Sequence, residues 1–283
     1  MLVDSPPRTN AGLALGPWQS ETRVRGNMTA PCLTFSGATE CGIEWAEWIL
    51  VDALITPSDT ILELGARFGT TSCALARATN NSGRVVSVEP DASVHEDLLS
   101  NRLSHNCNFH AVLGVVSSVP MAMMIHGPER YATMTVEAAR HPRREHTRVL
   151  PSISVTELQR RLDLRFSVVL VDCEGCIDTL FKHNEALLDQ VRLVLLEEDG
   201  GLQRREYDAW YERFHYAGFR CVWRLKETYP MGWSRRIMHS AWSRDPLHNR
   251  SDCKAYAFQH GYTRRELMCV THVKATPVPD PSL

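Results

Sequence analysis

The chain has no apolar run near the roughly 18 residues needed to span a bilayer. Its best candidates, AEWILVDALI and VRLVLLEEDG, are both interrupted by charge. The opening residues, MLVDSPPRTN, have no basic start followed by an apolar core, so no signal peptide is read there. Charge of one sign is also lacking. A net charge of −2 gives no electrostatic case for a nucleic-acid or membrane partner. The nine cysteines follow no spacing rule, and an odd number in a chain of 283 residues does not read as a disulfide framework. Reduced thiols and a cytoplasmic location are therefore expected, although sequons at Asn27, Asn80 and Asn249 leave the secretory pathway open. No internal repeat is present.

What the chain does contain is alternation. After residues 1–40, which are rich in Pro, Gly, Ser and Thr and read as a partly irregular extension, GIEWAEWILVDALI has helical apolar spacing and stops before Pro57. Strand-like segments then alternate with helix-like ones. TILELG, RVVSVEP, FHAVLGVVS, FSVVLVD and VRLVLLEE are apolar strands, and FRCVWRLK and IMHSAWSR form a closing pair. Between them TTSCALARAT, DASVHEDLLSNRLSHN, VTELQRRLD, IDTLFKHNEALLDQ and LQRREYDAWYERFHYAG read as helices. This order predicts an α/β fold: a doubly wound, mostly parallel, seven-stranded Rossmann-like sheet with helices on both faces. The expected domain spans 41–246, and 247–283 is a C-terminal extension with a helix around Ala255 to Leu267 and a proline-rich end.

In such folds ligands sit at the carboxyl ends of the strands. ILELGARFG offers Gly65 and Gly69 where a side chain would block a ligand's approach to the backbone. Thr70 and Thr71 follow at the start of a helix, and Glu63 precedes the loop. Glu89 closes the next strand, 24 residues beyond Gly65, where a ribose-binding carboxylate belongs. These features fit either a nicotinamide dinucleotide or S-adenosylmethionine. A pyrophosphate favours three glycines and is repelled by Glu63, whereas S-adenosylmethionine has no phosphate and has a cationic methionine end. The balance tips to the methyl donor.

Five ordered blocks then carry a resemblance to the FkbM-type S-adenosylmethionine-dependent methyltransferases. They are ILELGARFGTTS, VVSVEPDASVHEDLLSNRLSHN, SISVTELQRRL, FSVVLVDCEGCIDTL and VRLVLLEEDG, and the likeness runs from about Ile61 to Glu198, roughly half the chain. The Asp-x-Glu-Gly element, Asp172 to Gly175, is the most discriminating. The resemblance implies that Glu63, Gly65 and Gly69 form the methionine end of the cofactor site, and Ala66, Thr70 and Thr71 are further expected cofactor-binding residues. It implies that Glu89 holds the ribose, and that Asp172 and Glu174 stand beside the transferring methyl. Arg67 departs from the asparagine usual in the loop, and Asp199 stands where many relatives have histidine.

The expected activity is methyl transfer from S-adenosylmethionine to an oxygen of a small molecule or sugar, without a nucleic-acid or membrane partner; no metal ligands are read, and either a side-chain base or a metal would help the acceptor lose its proton. Asp172 and Glu174 are the candidate bases, and Asp172 has an alternative role in holding the methionine ammonium. Glu197 and Glu198 are further strand-end carboxylates. Cys173 and Cys176 invite a zinc or redox reading, but no second ligand pair accompanies them. The basic run Arg140 to Arg148 falls where an insertion can overhang the acceptor side, and the methionine-rich PMAMMIHG before it reads as packing on the core or a lid. An NAD(P)-dependent oxidoreductase and a non-catalytic binding module are the competing readings. The first lacks a Y-x-x-x-K pair.

Overall fold

The structure, a computed structural model, describes residues 2–5, 35–37, 45–126, 132–138, 148–198, 204–226 and 238–245. Strand β1 (Leu2–Asp4) is followed by helix α1 (Trp45–Leu54). The alternation expected from the sequence then begins with β2 (Ile61–Leu64), α2 (Thr70–Ala78), β3 (Val85–Glu89), α3 (His95–Ser104) and β4 (His110–Leu113). An insertion of short strands comes next: β5 (Val115–Val116), β6 (Met121–His126), β7 (Ala132–Glu137), β8 (Arg148–Leu150) and β9 (Ser152–Ile153). Alternation resumes with α4 (Val155–Leu162), β10 (Val168–Val171), α5 (Ile177–His183), α6 (Ala186–Gln190), β11 (Leu193–Glu198) and α7 (Arg204–Tyr216). Strands β12 (Arg220–Lys226) and β13 (Met238–Ser243) close the described chain.

The main sheet has eight strands in the order β1-β4-β3-β2-β10-β11-β13-β12. Strands β4, β3, β2, β10 and β11 pair in parallel, whereas β1 and β13 enter antiparallel to their neighbours. The seven expected strands are all present. The expectation of a seven-stranded sheet is corrected to eight mixed strands, because the N-terminal stretch supplies β1. Three residues are too few to show a period of two. Asp4 is held instead by distant contacts: Arg102 donates from Nη1 to its carbonyl at 2.8 Å and from Nη2 to its Oδ1 at 2.7 Å.

Strand residues alternate between two apolar layers. Ile61, Val168, Leu170 and Leu195 join Leu50, Leu54 and Leu75 on the α1/α2 side. Leu62, Val86, Val169 and Leu196 join Phe181, Trp210 and Phe214 on the other. Burial on both faces explains why these strands read as continuous apolar runs.

Local chemistry sets several boundaries. Helix α3 begins four residues later than expected, because Asp91 Oδ1 accepts from Ser93 N–H at 2.9 Å and from Ser93 Oγ at 2.7 Å, closing a turn first. The expected helix IDTLFKHNEALLDQ is two helices. Asn184 breaks it, donating from Nδ2 to Leu180 O at 2.8 Å and accepting at Oδ1 from Val155 N–H at 3.2 Å. Gly114, at φ 141°, divides the third expected strand, and a side-chain carbon there would lie 2.3 Å from Pro151 O.

At the amino ends of the strands, away from the expected site, Asp59 ties three segments together. It accepts from Thr56 N–H at 2.8 Å, Ser167 Oγ at 2.9 Å and Arg192 Nε at 2.9 Å. Burial alone would push its carboxyl up, but these bonds and the Arg192 charge hold it below the ordinary aspartate value.

Two disulfides are present among the described residues, contrary to the expectation of reduced thiols. Cys73 on α2 bonds Cys107 ahead of β4, and Cys173 bonds Cys176. The first pair is 34 residues apart, so only the packing of α2 against the turn after α3 brings it together. No helix among the described residues is long and apolar enough to cross a membrane.

Candidate functional site

Three strand ends converge on one cavity. At the end of β2 the chain turns through Gly65 (φ 94°), Arg67 (φ 45°) and Gly69 (φ 83°) into α2. Gly65 N–H and Ala66 N–H both donate to Val88 O, at 3.0 and 3.1 Å, which ties the loop to β3. The need for glycine at 65 is steric as well as conformational. A side-chain carbon there would lie 1.5 Å from the carbonyl oxygen of Asp172, the residue after β10. At Gly69 the equivalent carbon would meet Leu98 Cδ1 at 2.8 Å. The loop glycines therefore let segments of this chain approach each other, whatever they do for a ligand.

At the end of β3, Glu89 is buried and faces the cavity. Its Oε2 accepts from Arg67 N–H at 2.8 Å and its Oε1 from Asp91 N–H at 2.8 Å. Burial nevertheless dominates and pushes the Glu89 carboxyl up to about 7, against the lowering effect of those two bonds and of the Arg67 charge. Arg67 itself lines the cavity, with Nη1 at 3.8 Å from Asp91 Oδ2 and its guanidinium 5.3 Å from the Phe68 ring centre.

At the end of β10, Asp172 N–H donates to Leu64 O at 3.0 Å, continuing the sheet one step. The turn that follows is left-handed at Glu174 (φ 52°) and Gly175 (φ 93°), and the Cys173–Cys176 disulfide closes it. Above these strand ends, β7, β6 and β8 form a three-stranded antiparallel sheet, from which Met121 and Thr135 reach the cavity. The cavity volume is about 100 Å³. Pockets for whole cofactors hold roughly 300–1,000 Å³.

Of the residues expected from the sequence, the structure brings Gly65, Glu89, Asp172 and Glu174 together around this cavity. It places Glu63 elsewhere. By alternation along β2, Glu63 shares the α1/α2 side with Ile61, where its Oε2 accepts from Ser72 Oγ at 2.6 Å. Thr71 Oγ1 donates to Glu47 Oε2 at 2.9 Å on that same side. Thr70 is buried as well, and neither threonine, nor Ala66, nor Gly69 lines the cavity. Glu197 and Glu198 also lie apart from it. Glu198 accepts from Arg224 Nη2 at 2.8 Å, and Glu197 Oε1 lies 3.9 Å from His239 Nε2.

Thr135 and Thr179 were not legible as cavity residues, whereas the methionine-rich segment around Met121 had signalled a core or lid role. Of the basic run 140–148, only Arg148 is described, exposed at the start of β8. Asp199, the sequons at Asn27 and Asn249, and the expected helix around Ala255 to Leu267 lie outside the described residues. The bonding of Cys173 to Cys176 leaves no thiolate pair there for zinc.

No protein-family model and no curated protein matches the chain. Among solved structures, the chain is similar to an O-methyltransferase from Bacillus cereus in complex with S-adenosylhomocysteine. Identity is 13%, with 70% of this chain and 80% of that chain covered and a TM-score of 0.43. It is also similar to TrmK of M. capricolum in complex with S-adenosylhomocysteine, at 7% identity, 70% and 68% coverage, and a TM-score of 0.43. A third structure, Sp1610 of Streptococcus pneumoniae, is described as a tRNA (m1A22) methyltransferase; it shows 10% identity, 69% and 67% coverage, and a TM-score of 0.41. The expectation that nucleic acid is excluded as a partner is withdrawn. The physical fault in that expectation is plain. Net charge sums over the whole chain, while a nucleic-acid surface needs only a local field.

Proposed function

We propose that the chain binds S-adenosylmethionine at the carboxyl ends of β2, β3 and β10 and transfers its methyl group to an acceptor oxygen. The observation that carries this reading is the placing of Glu89. It closes the second strand of the alternation, faces the cavity, and shares it with Gly65, Asp172 and Glu174. Each Glu89 oxygen accepts one backbone N–H and keeps a second lone pair, so the carboxylate can also accept from two ribose hydroxyls. The residues fit the donor's chemistry: a carboxylate for the ribose, and Asp172 for a methionine ammonium. They meet it in a cavity that has to widen, and Arg67 is the bulky side chain on its rim.

When bound, the donor supplies an already activated methyl group on a sulfonium. The chain's own residues then align the acceptor and exclude water, which is where most of the rate enhancement in such a displacement arises. Glu174, held in the left-handed turn beside Asp172, accepts the proton that the acceptor hydroxyl loses. The β6–β7–β8 sheet covers the acceptor side through Met121 and Thr135. Asp172 is first of all a positioning carboxylate in this scheme.

Within the methyltransferases we assign the chain to the FkbM type on its five sequence blocks, with residues 41–246 as the catalytic unit and a small molecule or sugar as acceptor. The two disulfides favour an oxidising compartment, and Asn80 is exposed in its turn. Incubation with labelled S-adenosylmethionine and mixed extracts, RNA included, followed by mass spectrometry of labelled products, tests the activity. Label in an oxygen-linked methyl group is expected. Thermal stabilisation by NAD(H) but not by S-adenosylhomocysteine would overturn the reading.

A further inference from the structure

We propose that the Cys173–Cys176 disulfide is a reducible pair that controls the shape of the cavity wall. It rests on the methyl-donor reading only for the identity of the ligand affected. Four observations carry it. Both cysteines line the cavity, together with Asp172 and Glu174. Both are half-buried, so a thiolate can reach the bond through the cavity. The bond spans the only two residues of that turn in left-handed geometry, Glu174 at φ 52° and Gly175 at φ 93°. Finally, the segment it closes is packed against the donor loop, since a side-chain carbon at Gly65 would touch Asp172 O and approach Cys173 Cα at 3.5 Å.

The second disulfide provides the contrast. Cys73 is 0% and Cys107 4% exposed, within the apolar layer against α1 and α2. Thiol–disulfide exchange proceeds by attack of a thiolate on sulfur, so access decides which bond opens first. Among the described residues, therefore, one disulfide is sealed and structural and one is open to reagent at the site. A left-handed conformation at a glutamate is unfavourable and persists where its surroundings impose it. The bond between residues 173 and 176 is one such constraint, and its cleavage releases Glu174 to leave the cavity.

The chemistry balances with a dithiol as reductant. Its thiolate attacks one sulfur of the pair, the other sulfur leaves as a thiolate and takes a proton, and the mixed disulfide resolves when the reductant's second thiol closes its own disulfide. Two electrons pass to the chain, two cysteine thiols form, and one oxidised dithiol departs. A small dithiol or a protein carrying paired cysteines both meet this description.

The experiment uses the full oxidised chain, without ligand, across graded ratios of reduced to oxidised dithiothreitol. Free thiols are alkylated and mapped by peptide mass spectrometry, and amide exchange is followed at residues 172–180. The account expects Cys173 and Cys176 to label together while Cys73 and Cys107 stay unlabelled. Amide exchange across the turn should rise at the same ratio, and in Cys173→Ser/Cys176→Ser at every ratio. Labelling of Cys173 and Cys176 only when Cys73 and Cys107 also open would overturn the proposal. So would unchanged exchange across the turn. S-adenosylhomocysteine affinity is measured in parallel and should fall at least fivefold on reduction. If neither redox form binds that ligand, the methyl-donor reading fails, while labelling and exchange still decide for or against the reducible pair.

Discussion

Gly65 and Asp172 meet so closely that a single added carbon on the glycine would overlap the aspartate's carbonyl oxygen, at 1.5 Å. This contact locks the β2 loop to the β10 end and fixes where both meet the cavity. It also explains a glycine that the sequence first suggested was there for a ligand. Gly65→Ala should therefore damage fold and site together. The φ of 94° is strained for alanine, and the clash can be relieved only by separating two backbone segments. A loss of about 3 kcal/mol or more in denaturant unfolding is expected, with ligand binding abolished. A variant as stable as the parent would show that the two strand ends are not packed in this way.

The raised Glu89 carboxyl, near 7 against an ordinary 4.5, gives a pH signature with a definite sign. Between those two values the folded chain binds more protons than the unfolded one, so this group's effect is to lower stability as pH rises through that window, with no further change above it. Ligand binding runs the other way. Ribose hydroxyls donate to the ionised carboxylate, so S-adenosylhomocysteine affinity should rise about tenfold between pH 6 and pH 8. In Glu89→Gln the rise should vanish. Calorimetry at several pH values checks both, and a flat profile in the parent chain would count against the assignment.

Arg67 stands at φ 45° on the cavity rim. Asparagine tolerates that conformation better than arginine and occupies far less space. The bond from residue 67 to Glu89 comes from the backbone N–H, so substitution preserves it. Arg67→Asn loses the 3.8 Å contact to Asp91 and the cation–π contact with Phe68, each worth about 1 kcal/mol or less. We expect stability to stay within about 1 kcal/mol of the parent and S-adenosylhomocysteine to bind several-fold more tightly. Weaker binding, measured by calorimetry, would instead assign the guanidinium a direct role with the ligand.

The sealed disulfide should carry global stability. In the chain-entropy account, a closed loop of 34 residues is worth about 4 kcal/mol. Cys73→Ala/Cys107→Ala should lower unfolding stability by about 2–4 kcal/mol, read by denaturant titration without reductant. An unchanged midpoint would mean that α2 and the turn after α3 hold together without the bond.

The strands were legible because burial on both faces writes itself as uninterrupted Val, Ile and Leu. Glu89 and Asp172 were legible for a related reason: the end of such a run has a defined place in a doubly wound sheet. Glu63 was not. Its position on the strand was plain, but the sense of the alternation depends on which helix covers which face, and that is decided by α1 and α2 packing against Ile61. The disulfide between Cys73 and Cys107 was hidden because their pairing is tertiary, and β1 because three residues show no period. Met121 and Thr135 reach the cavity through a small sheet whose strands pair only with one another in the insertion. Nothing local in the sequence links them to strand ends so far away along the chain.

The central claim is that Glu89 forms part of a methyl-donor site, and titration calorimetry of S-adenosylhomocysteine into the oxidised chain and into Glu89→Ala tests it most directly. The account predicts saturable one-to-one binding by the parent chain, weakened by about 1–3 kcal/mol in the variant, the scale for losing hydrogen bonds to a charged group. No binding by the parent, or equal affinity in both proteins, would contradict it.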